Sequence, residues 1–226
     1  MRIARERDWT LKLYSRYRNS AGQRVRIVLN LKGVDYTYVP ISEVGSDAYR
    51  EINPQGLLPA LETDGRVLTQ STALIAFIDE SHPDPSLLPA DPVLRAEARA
   101  FAHFIACEIH PINNHRVRDY LEAAHGWSTD QTLVWYRHWL KEGLSVLETM
   151  LQKREKKSPF CYGDEPSLAD IYLVPQLYNA RWYGLELGPY PLLTEVDAAC
   201  RALPAFDAAM PEHQPDFPKD ASQHGR

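Results

Sequence analysis

The run Leu88-Pro-Ala-Asp-Pro92 constrains the fold more than any other feature, because it separates two stretches of different pattern. Two prolines around an aspartate interrupt any helix or strand crossing them, since proline lacks an amide donor and biases its predecessor toward extended backbone. Before this point short alternating segments are interleaved with helical ones; after it only helical patterns occur. The spacing therefore predicts an α/β domain over 10–88 followed by an all-α domain over 93–211.

In the first part, Leu11-Lys-Leu-Tyr-Ser15 alternates as a strand does, and Ala21 to Lys32 carries Val25, Val28, Leu29 and Leu31 at helical spacing before Gly33 closes it. A second strand is expected at Tyr36 to Ile41 and a short helix near Asp47 to Ile52. Leu57-Leu-Pro-Ala-Leu61 and Arg66-Val-Leu68 flank Thr63-Asp-Gly65, a hairpin signal, and Ser71 to Ser81 reads as a helix. The expected order is β-α-β-α-β-β-α.

The second part holds long helical patterns interrupted by Pro111, Gly126, Pro166 and Pro191, the pattern of a helical bundle. Its unusual region runs from Ile105 to Tyr120. Ile105, Ile109 and Ile112 give it an apolar face, while Pro111 should kink the helix one turn before the polar run Asn113-Asn-His-Arg116. Amide groups and a guanidinium fork there suit a small carboxylate ligand. Ser167-Leu-Ala-Asp170 resembles a capping box with Asp in place of Glu. The tail, 212–226, has little to bury and is expected to be disordered, and 1–9 is read as an extension outside the first domain.

Among 226 residues, 44% are hydrophobic and 24% charged, enough for a substantial core. The formal net charge of −5 gives no field that attracts nucleic acid or anionic membrane. The start, Met1-Arg-Ile-Ala-Arg-Glu-Arg-Asp-Trp9, lacks the apolar core of a signal peptide and no run has membrane-spanning length, so a cytoplasmic location is expected. Cys107, Cys161 and Cys200 form no paired framework and are expected as reduced thiols. Cys107, among Phe104, Ile105 and Ile109, reads as a small buried hydrophobe. The histidines near position 110 lack ligand spacing, so no metal is expected.

Pro59 interrupts the apolar run from Leu57 to Leu61. It marks Leu58-Pro59 as a candidate cis bond, which would leave the Leu58 amide and carbonyl available to an extended peptide ligand. Gln70-Ser71, just before a helix, offers a capping hydroxyl and a cradle of amides for a carboxylate.

These motifs together, with Tyr17-Arg-Asn-Ser-Ala-Gly-Gln-Arg-Val-Arg26, Leu31-Lys-Gly33 and Asn53-Pro-Gln55, resemble the zeta class of glutathione transferases from about Leu11 to Pro211. Ile109-His-Pro-Ile-Asn-Asn114, Tyr172-Leu-Val-Pro-Gln176 and Tyr190-Pro-Leu-Leu193 look most like the bacterial maleylpyruvate and maleylacetoacetate isomerases of that class. The resemblance implies a thioredoxin-like N-terminal domain, an all-helical C-terminal domain, glutathione as cofactor and a homodimer. It implies that Leu58, before Pro59, pairs with the glutathione backbone, that Gln70 and Ser71 hold its γ-glutamyl end and that Gln55 meets its glycyl part. Asn113 and Asn114 match positions that reach this ligand from the helical domain. Arg18, Arg116 and Arg181 match arginines that bind the substrate acid.

One departure falls at the chemistry. The class usually reads Ser-Ser-Cys at the start of the first helix, whereas this chain has Asn19-Ser20-Ala21. Ser20 is the remaining hydroxyl, expected to donate to the glutathione sulfur with Asn19 beside it and the helix N-terminus favouring thiolate; the alternative is that Ser20 only caps the helix. The implied reaction is cis–trans isomerisation of a small unsaturated keto diacid by reversible thiolate addition, with Arg18 or Arg116 stabilising the charge that develops on the carbonyl. Two alternatives stay open: a transferase that conjugates or dehalogenates a small acid and consumes thiol, and a glutathione-binding protein with little catalysis.

Overall fold

The computed structural model describes residues 10–219. They divide into two compact units: the chain up to Ser86 joined by a stretch that begins at Leu203, and Leu87–Ala202. The domain ends expected at 88 and 93 lie near this division, but the helical unit stops at Ala202 rather than 211. The tail expected to be disordered is built into the first unit as far as Lys219, and 1–9 and the rest of the tail lie outside the described residues.

The first unit is a four-stranded mixed sheet of order β2-β1-β3-β4. β1 (Leu11–Ser15) runs parallel to β2 (Thr37–Pro40), and the crossover between them is α1 (Ser20–Leu31). β3 (Ala60–Thr63) pairs antiparallel with β1 and with β4 (Arg66–Thr69). Asp64 and Gly65 join β3 to β4 with φ of 47° and 73°, the two left-handed residues of a tight hairpin whose twist matches the strands. Between β2 and β3 lies the single-turn α2 (Asp47–Arg50); α3 (Ser71–Ser81) packs beside α1. Alternation decides which face is covered: Leu11, Leu13 and Ser15 are buried, while Lys12 and Tyr14 between them are half-buried and both meet Glu62. This order of elements matches the sequence expectation, with ends shifted by a residue or two at most strands and helices.

The helical unit contains α4 (Pro92–Phe104), α5 (His115–His125), α6 (Thr129–Gln152), α7 (Leu168–Trp182) and α8 (Pro191–Arg201). Phe101, Ile105, Leu140, Leu144, Ile171 and Leu173 lie in its core. Pro111 does not simply kink one long helix. After Phe104 the backbone widens into a π turn over Ile105–Ile109, the chain stops being helical, and α5 starts afresh with Asn114 as its cap. Ile105 and Ile109, four residues apart, share the buried face, and Cys107, midway between them, falls on the opposite side and is exposed, contrary to the buried position expected for it. At α7 the capping box is present: Asp170 accepts from the Ser167 amide and hydroxyl, each at 2.8 Å, and also from the Cys161 amide at 2.8 Å.

Candidate active site

In the first unit the loop after β1 leads into α1, and Asn19, not Ser20, closes the helix end. Asn19 has extended backbone, and its Oδ1 accepts the Gly22 amide at 2.5 Å. Gly22 permits this geometry, because a Cβ there would collide with Ser15 Oγ and Asn19 Oδ1. Ser20 is thus the first helical residue, 7% exposed, with its hydroxyl at the positive end of the α1 dipole. The capping alternative for Ser20 does not hold, since its neighbour performs that task. Arg18 is half-buried two residues earlier.

The segments around Pro59 and Gln70 meet. Gln70 Nε2 donates to Gln55 Oε1 at 2.8 Å, joining two residues expected to hold one ligand. Gln70 sits at φ 71° and ψ 110°, a conformation that costs a non-glycine residue about 1–3 kcal/mol and persists only where its surroundings hold it. It gives α3 no side-chain cap, and Ser71 is the first helical residue, 9% exposed, rather than the capping hydroxyl expected. The first turn of α3 therefore presents its amide end next to Gln70 without a cap from that side chain. The Leu58–Pro59 bond is cis, and both residues are buried. Asn53 braces this corner, donating to Leu57 O at 2.6 Å and accepting the Gln55 amide at 3.1 Å. The Tyr49 hydroxyl donates to the same carbonyl at 3.0 Å, and burial pushes its pKa up to about 12.

The helical unit carries the remaining expected residues. Asn113 is 5% exposed and donates to Tyr136 O at 3.3 Å, while its buried Oδ1 has no hydrogen-bond partner. Asn114 accepts the Arg116 amide at 3.1 Å as the α5 cap, and Arg116 is exposed. Arg181, in the last turn of α7, donates from Nη2 to Asp197 Oδ2 at 2.6 Å; its side chain is 39% exposed and that of Asp197 only 2%. Burial raises the Asp197 carboxyl above its usual range, and the Arg181 guanidinium pulls it back only in part. Arg118 ties α5 to the end of α7: its Nη2 donates to the Tyr183 hydroxyl at 3.1 Å, and its guanidinium lies 5.3 Å and 5.0 Å from the Tyr136 and Tyr183 rings. Arg137 donates to Tyr183 O at 2.7 Å. Among the described residues no group of three or more His, Cys, Asp or Glu side chains is placed to hold a metal ion.

The family described as "Glutathione S-transferase, N-terminal domain" matches residues 13–86. A maleylpyruvate isomerase from a Ralstonia species is 44% identical over 210 residues, covering 91% of this chain and 99% of that protein. The chain belongs to the glutathione transferase family. A holo structure of maleylpyruvate isomerase, described as a bacterial zeta-class enzyme, superposes with a TM-score of 0.89 at 44% identity, covering 92% of this chain and all of the other. A maleylacetoacetate isomerase from Methylobacterium extorquens, solved with malonate and glutathione bound, gives a TM-score of 0.88 at 36% identity over 92% of this chain and 99% of that one. The glutathione transferase fold expected from the motifs is therefore the fold of this chain, and the protein is an enzyme of that family.

Within this glutathione transferase the structure gathers Arg18, Asn19 and Ser20 at one loop and joins Gln55 to Gln70, while Asn113, Asn114 and Arg116 cluster at the start of α5. Sequence reasoning missed Asp197, the Arg118–Tyr136–Tyr183 stack and the bracing role of Asn53. Asn53 lay inside a quoted motif, but the other contacts join residues far apart in the chain and had no local signal.

Proposed function

We propose that this protein is a glutathione-dependent cis–trans isomerase of a small unsaturated keto diacid, of the maleylpyruvate or maleylacetoacetate type, in aromatic catabolism. The observation that carries this reading is Ser20: a buried hydroxyl in the first turn of α1, at the positive end of its dipole and next to the cap residue Asn19. The site fits a γ-glutamyl tripeptide. Gln70 holds an uncommon backbone conformation at a helix end suited to a carboxylate, and its side chain meets Gln55. When bound, glutathione supplies a thiol that adds reversibly to the substrate double bond. Ser20 donates to the sulfur and keeps it as thiolate, assisted by the α1 dipole; Leu58 offers its backbone to the peptide, and Gln70 and Ser71 hold its charged end.

Arg18, Arg116 and Arg181 bind the carboxylates, and Arg18, two residues before Ser20, also stabilises the charge that develops on the substrate carbonyl. The relative solved with malonate and glutathione binds the same two classes of ligand. The reading extends to a cytoplasmic homodimer that engages neither membrane nor nucleic acid. It is supported by the class resemblance and the net charge of −5, and among the described residues no helix is long and apolar enough to cross a membrane. With Asn19-Ser20-Ala21 in place of Ser-Ser-Cys, the second reading is a transferase that conjugates or dehalogenates a small acid. Both are tested by incubating the enzyme with a cis keto diacid and glutathione while following product and free thiol. Isomerisation with constant thiol is expected; stoichiometric thiol loss would establish the transferase instead.

A further inference from the structure

The stretch that begins at Leu203 belongs to the same compact unit as the loop between β1 and α1; its first part packs on α1, and Asp216 and Phe217 meet that loop. The Asp216 carboxylate accepts the Tyr17 amide on Oδ2 at 2.9 Å and the Tyr38 hydroxyl on Oδ1 at 2.9 Å. Phe217 packs edge-on against the Tyr17 ring, with centroids 5.5 Å apart. From the other side Arg26, fully buried on α1, donates to Tyr17 O at 3.1 Å and Arg16 O at 3.3 Å, and the same guanidinium reaches Ala209 O at 3.0 Å. Both polar groups of the Tyr17 backbone are thereby taken: the amide by residue 216, the carbonyl by an arginine that also holds residue 209. The segment is itself braced, since Gln214 Nε2 donates to Ala208 O and Met210 O at 2.9 Å each.

We propose that this C-terminal segment is a positioning element of the catalytic loop, with Asp216 fixing Tyr17 and thereby the backbone that places Arg18, Asn19 and Ser20. The short loop between β1 and α1 has no ladder to define it, and displacement by about 1 Å at a reacting group costs on the order of a hundredfold in rate. Asp216 supplies the missing partner, from 199 positions away in the sequence. Asp216 does not touch the reacting atoms; it acts through Tyr17. The kinetic consequence rests on the reading of Ser20 as the group that orients the glutathione thiol, but the structural one does not.

The test compares Asp216→Ala, Asp216→Asn and Phe217→Ala in the full chain, by hydrogen exchange of the 16–22 amides and by kinetics with glutathione. Asn can keep both contacts, accepting the Tyr17 amide on its oxygen and donating to the Tyr38 oxygen from its NH2 group. Asp216→Ala is expected to speed exchange across 16–22 by about tenfold or more, as loss of a hydrogen bond to a charged group does. It should lower kcat by roughly tenfold with little change in the KM for glutathione, and move the pH–rate profile to higher pH. Asp216→Asn should stay within about threefold of wild type in each. Phe217→Ala, which leaves the hydrogen bonds and removes a half-exposed ring, should move exchange in the same direction by less and serves if the Asp216→Ala protein does not fold. Wild-type exchange in both alanine variants, or an Asn variant as impaired as Asp216→Ala, would overturn the proposal. If the wild-type enzyme shows no isomerisation with glutathione, the functional reading fails, while the exchange measurement still decides the role of Asp216.

Discussion

Arg181 is the residue where folding and binding compete for one side chain. Its guanidinium is already bonded to buried Asp197, whose second oxygen, Oδ1, is buried without a hydrogen-bond partner. Arg181→Met therefore strips a buried carboxylate of its hydrogen-bonded partner, leaving only Arg201 Nη1 at 4.0 Å, as well as removing a candidate ligand for the substrate acid. Because Arg181 is 39% exposed, solvent screening should hold the stability loss to about 1–3 kcal/mol, below the usual range for breaking a fully buried pair. The double variant Arg181→Met with Asp197→Asn should recover most of the unfolding midpoint. The KM for a diacid should stay raised in both variants, while an uncharged ester analogue is little affected; a KM that recovers along with stability would remove Arg181 from the substrate site. A pH dependence follows from the same pair. Asp197 is raised by burial, so the native state takes up its proton more readily than the unfolded chain does. The stability this contributes is present below the ordinary carboxylate pKa near 4 and is lost as pH rises through the folded value. Asp197→Asn removes that term, so urea midpoints of the single Asn variant should gain on wild type as pH rises through this window. At the loop, Ser20→Ala should lower kcat far more than it raises the KM for glutathione and shift the pH–rate profile upward, with the helix cap kept because Asn19 holds it.

At the scale of elements, what could be read in advance was local. Period-two alternation at Leu11 to Ser15, the Asp64-Gly65 turn and the helix Ser71–Ser81 were legible because neighbours in sequence decide them. The π turn at Ile105–Ile109 was not, because it depends on what α6 offers opposite. There Gly143 faces Ile109, and a Cβ at that position would collide with the Ile109 Cδ1 and Cγ1 atoms. In an isolated helix Gly→Ala stabilises by about 1 kcal/mol. Here Gly143→Ala should do the reverse, lowering stability by roughly 1–3 kcal/mol through overpacking, as read from thermal unfolding. A stabilised Gly143→Ala variant would show that α6 and the π turn can separate without loss. The capping box at α7 was legible as a motif, but its reach to the Cys161 amide was not. Asp170→Ala leaves the Cys161 and Ser167 amides buried without their acceptor, so a loss of about 2–5 kcal/mol is expected in a urea titration, larger than an exposed cap would give.

At the scale of the whole chain, sequence order and spatial order part company at Leu203. Helical spacing placed 203–211 in the all-α domain, and composition made 212–226 read as a disordered tail, because a handful of apolar side chains among prolines and charges cannot make a core alone. They complete a core already present: Phe206 and Ala209 are fully buried, Asn30 donates to Ala205 O at 2.9 Å, and Gln23 Nε2 donates to Met210 Sδ at 3.4 Å. The decisive group is Arg26. Burial pushes its pKa down, yet it remains a cation at neutral pH, and its acceptors include a carbonyl that only the returning segment provides. A chain ended after Ala202 would keep every residue of the sheet and of α1 but leave that guanidinium short of an acceptor and its apolar surroundings open to water. Losing a hydrogen bond to a charged group costs about 1.5–3 kcal/mol, and the lost apolar cover of Phe206 and Ala209 adds to it, a large share of the stability of a domain this size. Hydrogen exchange on the shortened chain should therefore rise most across 11–81, with a smaller rise across 92–201. If protection fell equally in both, or chiefly in the helical unit, the assignment of the last segment to the sheet-containing unit would be wrong. Adding Arg26→Met to the shortened chain should recover part of the lost protection, since it removes a charge left one acceptor short in an apolar surrounding while keeping an apolar stem of similar length.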